Sequence, residues 1–126
     1  MWIMNRREVW VKGEAGAKAY LEAKGYHILC TNFTTKVGEI DIIARDGDVT
    51  VFVEVKARTK ADFGEPIEAV TPQKVRKITL VAKQYLVMKG LLTAPVRFDV
   101  VECIGGDFRH TENAFTLNDA AKFLRY

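Results

Sequence analysis

Residues 39–56, EIDIIARDGDVTVFVEVK, constrain the fold of this chain more than any other stretch. Ile40, Ile42 and Ala44 alternate with Glu39, Asp41, Ile43 and Arg45. Beyond a break, Val51, Val53 and Val55 alternate with Phe52, Glu54 and Lys56. Period-two alternation rich in β-branched residues predicts two half-buried strands. Between them lies Asp46-Gly47, a residue pair that accepts the positive φ angles of a tight primed turn. A two-residue turn there sets Arg45 opposite Asp48, Ile42 opposite Val51, Ile40 opposite Val53 and Glu39 opposite Glu54. The apolar residues then share one face. Glu39, Asp41, Glu54 and Lys56 share the other, with Asp41 diagonal to Glu54.

Directly opposed side chains on paired strands lie about 4.5–5.5 Å apart at Cβ, and like charges at that range repel. Folding alone would not select such a patch of carboxylates. A hard divalent cation such as magnesium takes oxygen ligands and would relieve the repulsion. Lys56 sits beside Glu54 and could pair with cation-bound water or with a phosphate. The alternative is a solvated polar face, with Glu54 and Lys56 an ordinary surface ion pair worth about 0–1 kcal/mol.

At 126 residues, 48% apolar and 28% charged, the chain reads as one globular domain over 1–126. No apolar run approaches the roughly 20 residues that span a bilayer. The N-terminal MWIMNRREVW lacks a signal-peptide cleavage pattern. A cytoplasmic protein with no membrane partner is expected. Cys30 and Cys103 lack CxxC spacing, which argues against zinc. The +3 formal charge permits a polyanionic partner without requiring one.

Residues 7–24 read as a first helix, ended by Gly25 at a left-handed cap. Glu14, Ala17 and Leu21 share its apolar stripe, which places a carboxylate at the end of the face that packs on the sheet. Lys18 offers that carboxylate a surface partner at the favourable i, i+4 spacing. Tyr26–Phe33 suits a strand, with His27 and Cys30 in structural roles. Residues 57–70 form a long connection in which Arg58 and Lys60 could follow a phosphate backbone. Thr71-Pro72 starts a second helix, a hydroxyl cap followed by proline at the first helical position. Val75, Ile78, Ala82, Tyr85 and Leu86 form its buried stripe, and Gly90 ends it. Lys74, Arg76, Lys77 and Lys83, with no acidic residue in the helix, form the best nucleic-acid footprint in the chain, with a solvated face as the alternative.

Pro95–Cys103 is the next strand, and a strand–helix–strand crossover implies a parallel pair. Arg97 and Asp99 share a face, either as a structural ion pair or with Arg97 approaching the acidic site. Gly105-Gly106 leads into a short edge strand near Phe108–Phe115. Asn118 then caps a last helix ending at Leu124.

An acid on the first arm of a hairpin, here Asp41, followed by Glu54-Val55-Lys56 on the second, resembles the core of the PD-(D/E)xK nuclease superfamily. Ile40 stands where the proline that names the motif would be. The wider pattern GEAGAKAYLEAKGYHILCTNF, GEIDIIARDGDVTVFVEVKAR, FGEPIEAVTPQKVRKI and RFDVV resembles the YraN-like family of endonuclease-like bacterial proteins. That family is similar in arrangement to archaeal Holliday-junction resolvases.

The resemblance implies an α/β fold with a three-layer restriction-endonuclease-like core. Its mixed sheet combines an antiparallel hairpin and a parallel crossover strand in the order αβββαβ, with a short extra strand and a C-terminal helix. It implies metal-dependent hydrolysis of DNA, with branched DNA a suitable substrate and a homodimer suited to it. Asp41, Glu54 and the carbonyl of Val55 would hold Mg2+ or Mn2+. Lys56 would orient the attacking water or neutralise charge, and Glu14 and Glu39 would be third-ligand or water-positioning groups. Gln73, Lys74, Lys77 and Arg58 would contact nucleic acid. The competing expectation is a catalytically silent nucleic-acid-binding or partner-docking module on the same scaffold.

Overall fold

The computed structural model describes residues 6–57, 71–104 and 106–115, with side chains from Gly13 onward. The elements run α1 (Arg6–Ala23), β1 (His27–Thr34), β2 (Glu39–Asp46), β3 (Val49–Ala57), α2 (Pro72–Lys89), β4 (Val96–Ile104) and β5 (Asp107–Phe115). The last helix expected from Asn118 lies outside the described residues.

Both helices stop by the same device. Gly25 and Gly90 adopt φ of 93° and 67°, conformations that only glycine reaches without steric cost. The amide of Tyr26 bonds back to Leu21 O and that of Leu91 to Leu86 O, while the glycine amides reach Glu22 O and Val87 O. This is the Schellman arrangement. At the start of α2, Thr71 Oγ1 accepts from the Lys74 amide at 3.2 Å, with Pro72 behind it.

Five strands form one sheet in the order β1-β2-β3-β4-β5. Only β3 and β4 are parallel, joined through α2, as the crossover argument expects. The β4–β5 pair is antiparallel, and β5 is a full nine-residue strand rather than a short one.

The hairpin register differs from the sequence expectation by two residues. Asp46 pairs with Val49, Ala44 with Val51 and Ile42 with Val53, so Gly47 and Asp48 make the turn. Gly47 alone of the two has positive φ, the pattern of a primed turn with glycine first. Asp46 stays in the strand, where it accepts a 3.0 Å hydrogen bond from Arg97. A shift of two leaves each side chain on its original face, since the period is two.

The strands are buried on both faces, not half-buried. Ile42, Ala44, Val51, Val53, Val55, Val101 and Cys103 pack with Ala17 and Leu21 of α1. Ile43, Phe52 and Phe98 pack with Val75, Ile78, Val81, Ala82, Tyr85 and Leu86 of α2. Ile40 joins the α2 side rather than its alternating partners Ile42 and Val53, and it lies beyond the Ile42–Val53 pair at which the β2–β3 ladder ends.

Candidate metal and phosphate site

The departure of β2 from β3 creates the site. The β2–β3 ladder ends at the Ile42–Val53 pair, and just beyond it Asp41 and Glu54 lie close enough for the charge of Glu54 to act on Asp41. The Asp41 carboxylate takes the place of a backbone acceptor: the Val55 amide donates to its Oδ2 at 2.8 Å. In an extended strand a residue's N–H and C=O point the same way, so the Val55 carbonyl also faces the Asp41 side.

Asp41 is buried, only 6% exposed. Burial and the charge of Glu54 raise its pKa, and Glu14 and Glu39 add to the rise. The Val55 hydrogen bond opposes them, and the carboxyl ends at about 7. Three acids from three elements therefore act on Asp41. Glu14 comes from α1, which covers one face of the sheet. Glu54 points to the α2 face, as its strand neighbour Phe52 is two residues away in the α2 core. Asp41 feels both because it sits where the sheet opens.

Glu14 Oε1 is buried and, among the described residues, has no hydrogen-bond partner. The surface pairing with Lys18 does not satisfy that oxygen, since Lys18 is exposed and the oxygen is not. Glu39 lies at the exposed start of β2 and accepts from the Thr34 hydroxyl at 3.1 Å. Lys56 is half-buried near the end of β3, on the face of Glu54, and in register with Glu102 of β4.

Lys74, expected to face nucleic acid, makes an ion pair within the site. Its ammonium lies 2.8 Å from Glu54 Oε1, with the lysine side chain 50% exposed and that of Glu54 12% exposed. Gln73 and Lys77 are exposed on α2, and Arg58 lies outside the described residues. Among the described residues no three His, Cys, Asp or Glu groups already stand as a metal cage. The donor chemistry nevertheless fits a hard cation: two neighbouring carboxylates, a carbonyl on the Asp41 side and a buried carboxylate oxygen with no partner among the described residues.

Arg97 does not approach this site. It donates to Asp99 at 2.9 and 3.0 Å, to Asp46, and to the Tyr26 hydroxyl. Asp99 also contacts His110 Nε2 at 2.7 Å and accepts from the Asn113 amide at 3.0 Å. Burial alone would raise its pKa, but the hydrogen bonds from His110, Arg97 and Asn113 hold it below the ordinary value. Sequence reasoning missed His110 here. It also missed Glu102, wholly buried and gripped by Arg109 at 2.9 Å. Neither residue has a companion at motif spacing, so only strand pairing reveals the contacts.

The family model for "Uncharacterised protein family UPF0102" matches residues 13–103. A UPF0102 protein of Lachnoclostridium phytofermentans is 45% identical over 113 residues, covering 89% of this chain and 96% of that one. A UPF0102 protein of Persephonella marina is 40% identical, covering 86% and 97%. A solved structure, "Crystal structure of SSO0001", is 19% identical with a TM-score of 0.42, covering 89% of this chain and about half (53%) of that one. The matched span runs from within α1 to near the end of β4, with Glu14, Glu39, Asp41, Glu54 and Lys56 inside it, and the chain belongs to the UPF0102 family.

Proposed function

We propose that this site hydrolyses DNA phosphodiester bonds with the help of a divalent cation, and that branched DNA is the substrate class to test first. The observation carrying this reading is the crowding of Asp41 by Glu54, Glu14 and Glu39, beside a buried Glu14 oxygen that no hydrogen bond from the described residues satisfies. An arrangement kept for folding alone would not hold that repulsion, whereas a cation would convert it into binding. Asp41, Glu54 and the Val55 carbonyl are the groups that would hold Mg2+ or Mn2+, with Glu14 as the further oxygen.

A bound divalent cation supplies Lewis acidity and a water activated at neutral pH. The chain's own groups do the rest. Lys56 places a positive charge beside Glu54, where charge develops on the phosphate. The buried setting of Asp41 keeps water from screening these charges. The cations of α2, chiefly Lys74 and Lys77, meet the phosphate backbone. Their electrostatic contacts carry no base sequence, which suits recognition by shape.

The test is cleavage of short branched and duplex DNA in Mn2+ or Mg2+. Glu54→Gln and Lys56→Ala should each lower the rate by about 10²–10³, the usual loss of one preorganised charged group, with DNA affinity little changed. Variants that cut as well as the parent would overturn the assignment. A second reading, a silent DNA-binding module, draws on the Lys74–Glu54 ion pair, which already neutralises one acid without a metal. DNA binding without Mn2+ uptake and without cleavage would favour it.

A further inference from the structure

The Lys74–Glu54 contact is built asymmetrically. Glu54 projects from the central strand β3 and its side chain is 12% exposed, so the carboxylate is fixed. Lys74 projects from the first turn of α2, its backbone held by the Thr71 cap, while its side chain is 50% exposed. A lysine ammonium on a four-carbon stem moves readily. Its hold on an acid at that exposure is weak. A cation bound by Glu54 would compete with Lys74 for the charge of the same carboxylate, one oxygen of which Lys74 contacts.

We propose that Lys74 is an exchangeable counter-ion, which neutralises Glu54 in the metal-free protein and transfers to a substrate phosphate when a divalent cation takes the Glu54 carboxylate. The inference rests on the metal-centre reading above and adds to it a coupling between the two ligands. Cation and lysine compete for one carboxylate, so the lysine lowers cation affinity when no DNA is present. DNA draws the lysine away from Glu54 and removes that competition. Cation and DNA therefore tighten each other's binding by the same factor, as linkage requires. The exchange also reconciles the two roles of Lys74: partner of an acid in the free protein, and phosphate contact in the complex.

Lys77, exposed on the next turn of the same helix, is the charge control. Its replacement removes one positive charge near the site without removing the Glu54 contact. The experiment is calorimetric titration of the full chain with Mn2+ alone, comparing parent, Lys74→Gln and Lys77→Gln. Affinity for a short branched DNA is then read by fluorescence anisotropy with and without calcium, which is used so that no turnover shortens the probe. Lys74→Gln should bind Mn2+ about two- to five-fold more tightly than the parent, the range set by a weak exposed ion pair. Lys77→Gln should change it by less than about two-fold, as a screened exposed charge. The gain in DNA affinity on adding calcium should be smaller in Lys74→Gln than in either other protein. Equal Mn2+ affinities in Lys74→Gln and parent, equal effects of the two substitutions, or an undiminished calcium gain would overturn the exchange. If the parent and both variants take up no Mn2+, the metal-centre reading itself has failed, and the exchange fails with it. The parent's own titration tells these two failures apart.

Discussion

Asp41→Asn should make the metal-free protein more stable, although it alters a buried residue at the centre of the site. The Asp41 carboxyl titrates at about 7 in place of 3.8. Between those values the folded chain holds a proton that the unfolded chain has released. Stability therefore falls as pH rises, by about 1.4 kcal/mol per pH unit at most. The full cost is reached above pH 7 and amounts to about 4 kcal/mol for a shift of this size. Asparagine has nearly the same shape, keeps an oxygen for the Val55 amide and carries no charge. Its own buried amide N–H groups take back part of the gain, leaving a stabilisation of about 2–3 kcal/mol at pH 8. Urea unfolding in a chelator at pH 4.5, 6 and 8 measures it. The difference between variant and parent should be smallest at pH 4.5, grow through pH 6 and level off above 7. Adding Mn2+ should reverse the order of stabilities, since only the parent retains the full donor set. A variant no more stable than the parent at pH 8, or a difference independent of pH, would refute the reasoning.

Two other substitutions probe the frame that holds the site. Asp99→Asn leaves Arg97 without its buried anion and should cost about 3–5 kcal/mol, as when one partner of a buried ion pair is lost. Because Asp99 has a lowered pKa, the stability that it adds is present above the ordinary carboxylate range and is lost as pH falls below about 4, a loss that acid unfolding followed by circular dichroism should show to be reduced in the variant. Gly16→Ala would bring a Cβ to 2.8 Å from Phe108 Cζ and should destabilise by about 1–3 kcal/mol. The added change Phe108→Leu should recover part of that loss in thermal unfolding.

Much of the frame was legible along the chain because it is local. Helix ends follow from Gly25, Gly90 and Thr71-Pro72, whose backbone preferences act within one turn. The buried stripe of α2 and the alternation of β3 follow from periodicity, and the parallel β3–β4 pair from the helix between them. Asp41, Glu54 and Lys56 could be named together because a hairpin brings nearby residues face to face. The hairpin register was less legible, since Asp46-Gly47 and Gly47-Asp48 are both acceptable turns. In the observed register Asp46 binds Arg97, which is distant in sequence.

What the sequence by itself determined is therefore the set of elements, their ends and the short-range acidic pattern, all products of backbone preference and side-chain period. Tertiary structure alone decided which face each helix covers, and so that both faces of β2 and β3 are buried. It brought the charge of Glu14 to bear on Asp41 with an oxygen that no described residue satisfies, set Lys74 on Glu54, and gathered Asp99, Arg97 and His110 into one network. These contacts join residues on separate elements, and their charges interact through space over a few ångströms in a water-poor interior. No spacing along the chain encodes that distance.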